Sequence, residues 1–174
     1  TSDPQTFTIT VTPVNDAPTF AKGADQAVAE DAGAQSVAGW ATAITTGPGD
    51  GPQALTFTVT GNTNPSLFAA GPAIASNGTL TYTPASQANG SADITVVLAD
   101  DGSTANGGVN ASAGQTFTVL VTEVNDAPSF TKGANQAANE DSGAQTATGW
   151  ATAISRGPAD ESSQALTFHV TAAN

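Results

Sequence analysis

Several stretches of the chain alternate between apolar residues and small polar residues with a period of two. The segment 115–123 directs Phe117 and Val121 to one face and threonines to the other, and 54–60 and 92–99 show the same alternation. This period is typical of strands that have one buried face and one solvated face. The pattern therefore predicts β-strands in these three segments.

The remaining strands are shorter and are separated by turn residues. In chain order, the predicted strands cover 19–37 with a break, 37–44, 54–60, 67–75, 79–83, 92–99 and 115–123. Asn77-Gly78 is a hairpin-type turn signal, and no segment has a helical pattern. Seven short strands without helices predict an all-β fold, a seven-stranded Greek-key β-sandwich. We expect the single tryptophan of each copy, Trp40 and Trp150, to anchor its core.

The chain repeats itself at a spacing of 110 residues. The segment 6–18 returns as 116–128, and the sequence GWAT at 39–42 recurs with the same spacing. One residue is then inserted, so that Leu166 matches Leu55 at a spacing of 111. A repeat of this size is a whole domain and not a small solenoid turn. The sequence therefore predicts tandem β-sandwiches.

The repeat divides the chain into three parts. Residues 1–16 carry the last strand and linker of one unit, 17–126 form a complete unit, and 127–174 hold the first three strands of the next unit. Neither end piece is expected to close a sandwich alone, since an open sheet leaves exposed edges. We expect the chain to be an excerpt of a longer tandem array. The alternative is that a neighbouring chain supplies the missing strands.

Charge and composition exclude several classes of function. The chain has 3 basic and 15 acidic residues, a net charge of −12, and no cysteine. Few Lys and Arg residues argue against nucleic-acid binding and against binding to an anionic membrane surface. No apolar run is long enough to span a bilayer. Without cysteines, neither disulfides nor thiolate metal sites can stabilise the fold, and this composition suits a secreted chain.

The acidic residues gather at the expected ends of the sandwiches. Fourteen residues separate Asp16 from Glu30, which corresponds to about 46 Å at ~3.3 Å per residue. Glu30 is therefore expected at the far end of its unit, beside Asn125-Asp126. The loop after the sixth strand lies at the near end, so Asp100 and Asp101 are expected to face Asn15-Asp16. Asp160 and Glu161 are expected to face Asn125-Asp126 from the other side. The candidate ligands at the junctions are Asn15, Asp16, Glu30, Asp31, Asp100, Asp101, Asn125, Asp126, Glu140, Asp160 and Glu161.

Such a gathering of carboxylates repels itself, and the chain offers almost no Lys or Arg to neutralise it. A hard cation with 6–8 oxygen ligands would balance the charge, and Ca²⁺ suits flexible, separated ligand segments better than Mg²⁺ does. Zinc is disfavoured by a single His and no Cys. The alternative is that these acids are solvated turn residues, because Asp and Asn favour turns.

The linker and acidic motifs resemble those of cadherin repeats. The sequence VNDAPSF at 124–130 looks like a cadherin interdomain linker, LADDG at 98–102 resembles the acidic motif after the sixth strand, and Glu30 resembles the first-strand glutamate. The repeat is similar to bacterial cadherin-like tandem repeats of large surface or secreted proteins, often adhesins. This resemblance implies a cadherin/Ig-like sandwich, Ca²⁺ at the junctions, rigid extension, and an extracellular or bacterial cell-surface location.

The sequence also departs from the cadherin pattern. The acidic triplet expected after the fifth strand is replaced by 83–85 (TPA), and the paired aspartates expected after the second strand are replaced by 43–45 (AIT). These losses predict fewer ions at each junction than in animal cadherins. Three sequons, at Asn77, Asn89 and Asn110, match the N-glycosylation pattern.

An enzymatic function is not expected, because the complete unit contains no histidine and the acids lie in Gly/Asn-rich loops. The favoured function is a calcium-rigidified extracellular spacer or adhesion repeat of a long surface or filamentous protein. One alternative is a carbohydrate- or partner-binding module, for which Phe20, Tyr82 and Phe130 are the candidate exposed aromatics. Another is a filament subunit completed by strands of a neighbouring chain. The candidate partners are neighbouring repeats, cell-surface glycans and further copies of the chain.

Overall fold

The computed structural model describes residues 1–172, and its regular structure is almost entirely β-strand. The strands are β1 (Thr19–Ala21), β2 (Gln26–Ala29), β3 (Gln35–Val37), β4 (Thr42–Thr45), β5 (Thr56–Asn62), β6 (Phe68–Ile74), β7 (Leu80–Pro84), β8 (Gly90–Ala99), β9 (Gln115–Thr122), β10 (Ser129–Lys132) and β11 (Ala151–Ser155). Short 3-10 helices cover Pro65–Leu67, Ala105–Gly107 and Ala159–Ser163. The predicted all-β class is confirmed. Among residues 1–172, no helix is both long enough and apolar enough to cross a membrane.

The strands form two larger sheets and two strand pairs. The four-stranded sheet has the order β2-β9-β8-β5, and the three-stranded sheet has the order β3-β7-β6. The strand pairs are β1-β4 and β10-β11. Strand β2 runs parallel to β9, whereas the other pairings are antiparallel.

Both larger sheets contribute side chains to one hydrophobic core. Ile94 and Val96 on β8 and Leu80 on β7 are completely buried and belong to the same cluster. Phe117 on β9 packs against Trp40, with ring centroids 4.4 Å apart. Trp40 is 4% exposed, so the prediction that it anchors the core is confirmed.

The segment predicted as one strand over 37–44 is divided between two sheets. Strand β3 pairs with β7, and β4 pairs with β1. Between them the backbone turns at Gly39, which has a φ of +65°, and the Trp40 indole N–H donates to the carbonyl of Ala24 at 2.9 Å. The turn therefore inserts Trp40 into the core, which a continuous strand would not do.

The outer parts of the chain contain less regular structure than their copies in the complete unit. Residues 136–139 copy β2 but do not form a strand, and residues 5–12 copy β9 but are exposed throughout. Trp150 is 39% exposed, so it does not anchor a core here as predicted. The reason is that no described aromatic ring stacks on Trp150 in the way that Phe117 stacks on Trp40.

Candidate metal centre

The first linker is held to the complete unit by Asn15. Its side-chain amide donates to Asp100 Oδ1 at 3.1 Å and to the carbonyl of Val109 at 2.6 Å. Its side-chain oxygen accepts a hydrogen bond from Gln53 Nε2 at 2.6 Å. The loop after β8 therefore lies beside the first linker, the end of the unit at which it was expected.

The backbone of Asp16 is bound by a residue that the sequence analysis did not single out. Its backbone N–H donates to Asp50 Oδ2 at 2.9 Å. Asp50 was not among the predicted ligands. Asp101 is exposed and accepts a hydrogen bond from the backbone of Ala54 at 2.9 Å, whereas Asp100 is buried and its Oδ2 atom has no partner.

The second linker shows the same arrangement. The backbone N–H of Asp126 donates to Glu161 Oε1 at 2.7 Å, and Gln164 Nε2 donates to Asn125 Oδ1 at 2.8 Å. Gln164 also contacts Glu161 Oε2. At the spacing of 111, Glu161 matches Asp50 and Gln164 matches Gln53. At each linker, an acidic side chain accepts a hydrogen bond from the backbone N–H of the linker Asp, and a Gln side chain donates to the side-chain oxygen of the linker Asn. We call this pair of contacts the linker clasp.

The linker clasp makes a specific prediction about local mobility. Replacing Gln53 with alanine should accelerate amide hydrogen exchange at Asn15 and Asp16 several-fold, because the Asn15 side chain loses one of its partners. Exchange at Asn125 should not change. The matched control is Gln164→Ala, for which the reverse is expected. Equal exchange at both linkers in both variants would contradict the assignment.

Glu30 ties the end of the complete unit to the second linker. It follows β2, it is 2% exposed, and its Oε1 atom accepts a hydrogen bond from the backbone N–H of Val124 at 2.8 Å. Its own N–H donates to the carbonyl of Thr122 at 3.1 Å. The Oε2 atom is buried without a partner. The structure thus places Glu30 at the end of its unit that was expected.

Three carboxylates converge after the second linker. One oxygen from each of Asp126, Asp160 and Glu161 lies within 4.8 Å of the others. The 3-10 helix Ala159–Ser163 supplies the second and third of these residues. Opposite ligands of one Ca²⁺ lie about 4.6–5.2 Å apart, because each is 2.3–2.6 Å from the ion. The spacing of the cluster therefore suits a single shared cation.

Three oxygen atoms of this cluster lack hydrogen-bond partners. Asp126 Oδ2 and both carboxylate oxygens of Asp160 are buried and make no hydrogen bond. Leaving such groups unpaired costs about 1–3 kcal/mol each, and more when they are charged. A bound cation would remove this cost, which is the observation that most favours a metal at this position.

Basic residues do not neutralise the cluster. Within residues 1–172, the only ion pair is Lys22–Asp25 at 3.9 Å, and it lies outside the cluster. Arg156 is nearer in sequence, but its Nε atom donates to the backbone carbonyl of Gln164. The negative charge of three adjacent carboxylates is therefore not balanced by ion pairs in the described part of the chain.

Some predicted site residues lie apart from this cluster. Asp31 and Glu140 are exposed and do not join the three converging carboxylates. The sequon residues Asn77, Asn89 and Asn110 are all exposed.

No family model, curated protein or solved structure matches this chain.

Proposed function

We propose that the chain consists of cadherin-like tandem β-sandwich repeats that act as a calcium-stiffened spacer in a long extracellular or cell-surface protein. The observation that carries the proposal is the convergence of Asp126, Asp160 and Glu161 with three buried oxygens that lack partners. Calcium would supply positive charge and further coordination at a point where the linker meets a loop of the following unit.

The proposed sandwich is supported by the single hydrophobic core that the two larger sheets share. The β2-β9-β8-β5 sheet and the β3-β7-β6 sheet both direct apolar side chains into the same cluster. Neighbours such as β2 and β9 are far apart in sequence, as the crossing connections of a Greek key require. The 110-residue repeat would then give a row of such units.

The donor set favours calcium over other cations. All three converging residues offer carboxylate oxygens, which hard cations prefer. The chain has no cysteine and one histidine, His169, so a zinc site is disfavoured. Asp126 comes from the linker and the other two acids come from one 3-10 helix, and separate ligand segments suit the variable geometry of Ca²⁺.

The spacer role is supported by contacts on both sides of the linker. Glu30 of the complete unit holds Val124, and Glu161 of the following unit holds Asp126. A cation bound by Asp126 would strengthen the second attachment. The relative orientation of the units would then depend on calcium, and bound calcium would limit bending between neighbouring units.

Calcium titration of the 174-residue chain tests this proposal. We expect calorimetry to show Ca²⁺ binding, and hydrogen exchange at 124–126 to slow when Ca²⁺ is added. Saturation at 100 times the dissociation constant would stabilise the bound conformation by about 2.7 kcal/mol. Asp126→Asn combined with Asp160→Asn should abolish both responses, because the ion loses two of its three charged ligands.

The matched control removes the same number of negative charges from two exposed acidic residues. Asp31→Asn combined with Asp141→Asn should leave Ca²⁺ binding within about twofold, since both residues are exposed and lie outside the cluster. If calcium binds equally well to both double variants, the attraction is diffuse and the proposed site is wrong. Absence of calcium binding to the unmodified chain would also overturn it.

The carbohydrate-binding alternative loses two of its three candidate residues. Phe20 and Tyr82 are buried in the core, so the prediction that they are exposed is wrong. Phe20 packs edge-to-face against Phe57, and Tyr82 packs edge-to-face against Phe68. Burial raises the pKa of the Tyr82 phenol above its ordinary value. Phe130 is half exposed but packs edge-to-face against Phe168. A platform for stacking sugar rings is therefore not favoured.

A further inference from the structure

We propose that two copies of the chain associate side by side through strand β5 of the complete unit. The two β5 strands would pair antiparallel about a two-fold axis at Thr58, and the two four-stranded sheets would then form one continuous sheet. This contact lies along the side of the unit and not at either end, and it does not require calcium.

Strand β5 lies at the edge of the four-stranded sheet, and β8 is its one strand partner among residues 1–172. The two linkers are attached at opposite ends of the unit, the first near Asp100 and the second near Glu30. Neighbouring units of the same chain therefore adjoin the ends and leave this lateral edge open. An open edge presents backbone N–H and C=O groups to which a further strand can bind.

The other edge strands of the two larger sheets are short or irregular. Strand β2 has four residues and β3 has three. Strand β6 has seven, but Pro72 has no N–H and the register shifts on both sides of Ala70. Strand β5 also has seven residues, contains neither proline nor a charged residue, and keeps a regular register over 56–59. Short strands, prolines and bulges block pairing at an edge, so β5 is the edge that remains available.

The contacts of β8 show which of its backbone groups face β5. The carbonyl of Leu98 accepts the N–H of Ser112 at 2.8 Å, and the N–H of Asp100 donates to the carbonyl of Asn110 at 3.0 Å. Both partners lie in the segment that leads to β9, on the side of β8 opposite to β5. Because the direction of the backbone groups alternates along an antiparallel strand, the odd-numbered residues in this part of β8 face β5.

The register of β5 then identifies its free backbone groups. Thr58 is opposite Val97, so its N–H and C=O bond to β8. Its neighbours Phe57 and Val59 direct theirs toward the open edge. When two β5 strands meet with Thr58 opposite Thr58, Phe57 of each copy exchanges two hydrogen bonds with Val59 of the other. The two exchanges would satisfy the free backbone groups of both residues in both copies.

The side chains are self-complementary in the same register. Phe57 and Val59 are half-buried and pack against the core from its margin, and each would meet the other across the new pairing. Aromatic and β-branched residues form favourable cross-strand pairs. The strand carries no charge although the chain has a net charge of −12. A two-fold contact requires such self-complementarity, and this is the reason for assigning a second copy as the partner.

Disulfide cross-linking tests this contact. Opposite residues that do not exchange hydrogen bonds have Cα atoms about 4.5 Å apart in an antiparallel pair, which is within the range for a disulfide. The chain has no native cysteine, so Thr58→Cys introduces the only thiol, at the two-fold axis. We expect a disulfide-linked dimer when this variant is oxidised with diamide in EDTA and NaCl. EDTA separates the result from calcium binding, and NaCl screens the repulsion between the two acidic chains.

Thr56→Cys is the matched control, because Thr56 is an exposed threonine on the same face of the same strand. In the proposed register it lies opposite Thr60 of the second copy, and the two copies of Thr56 are about 14 Å apart at ~3.4 Å per residue. Thr58→Cys should therefore dimerise at least about fivefold more than Thr56→Cys. Equal yields would indicate chance collision or parallel pairing, and would overturn the proposal.

A second pair of variants separates backbone pairing from side-chain adhesion. Adding Val59→Pro to Thr58→Cys removes an N–H that faces the open edge and none that bonds to β8, so dimer yield should fall at least about fivefold. Val59→Thr has nearly the same shape and keeps the N–H, so the yield should stay within about twofold. Circular dichroism checks that both variants are folded. Equal yields from the two folded variants would overturn the proposal, and the comparison of Thr58 with Thr56 tests it without proline.

Discussion

Replacing Phe117 with alanine is expected to lower the free energy of unfolding by about 3–5 kcal/mol, the range for a large aromatic residue in a core. The side chain is 1% exposed and packs against Trp40. Its removal would leave a cavity between the two sheets that backbone on both sides prevents from collapsing. Urea denaturation followed by far-UV circular dichroism measures the loss.

The repeat supplies a matched control for this substitution. Phe7 occupies the same position in the preceding copy and is exposed. Phe7→Ala should change stability by less than about 0.5 kcal/mol. If both variants lose the same stability, the burial difference between the two copies is wrong.

Replacing Gly78 with alanine is the second large effect that we expect. Gly78 has a φ of +83°, and its carbonyl accepts the N–H of Ala41 at 2.9 Å. A Cβ atom here would lie 2.1 Å from the backbone oxygen of Ala41. The left-handed conformation costs about 1–2 kcal/mol for a non-glycine residue, and displacing a packed backbone adds about 1–3 kcal/mol.

Gly33→Ala separates these two costs. Gly33 also has a positive φ, +68°, but a Cβ there would meet nothing within 4 Å. We therefore expect Gly33→Ala to cost only about 1–2 kcal/mol, and Gly78→Ala to exceed it by about 1–3 kcal/mol in thermal or urea unfolding. Equal losses would show that the hairpin backbone can move away from Ala41.

The two linkers together indicate which part of each junction is rigid. Asp50 and Glu161 hold the linker aspartates, and both belong to the unit that follows the linker. Across the second linker, Glu30 is the side chain of the preceding unit that holds the linker backbone, through Val124. Motion is therefore expected between residues 124 and 125, where the part of the linker held by Glu30 meets the part held by the clasp.

Part of the candidate site could be predicted from chain length alone. A strand of known rise per residue places Glu30 near the second linker, and an antiparallel return places Asp100 near the first. Both placements depend on distances along extended chain, which are almost independent of side-chain packing. This is why they agree with the structure.

The linker clasp could not be predicted in the same way. Gln53 and Gln164 are ordinary polar loop residues, and their roles depend on how a loop returns to the linker 38 or 39 positions away. Asp50 was missed because its carboxylate binds a backbone N–H, a contact with no motif. The one available signal was the repetition of Gln at the same place in both copies.

By itself, the sequence determined the repeat, the alternation of the strands and the concentration of acids near the linkers. Only the tertiary structure decided which copy of a segment becomes a strand. Gln115–Thr122 is a buried strand and 5–12 is not, although the two are nearly identical. A strand is stable only when neighbouring strands accept its backbone hydrogen bonds and a second layer covers its apolar face.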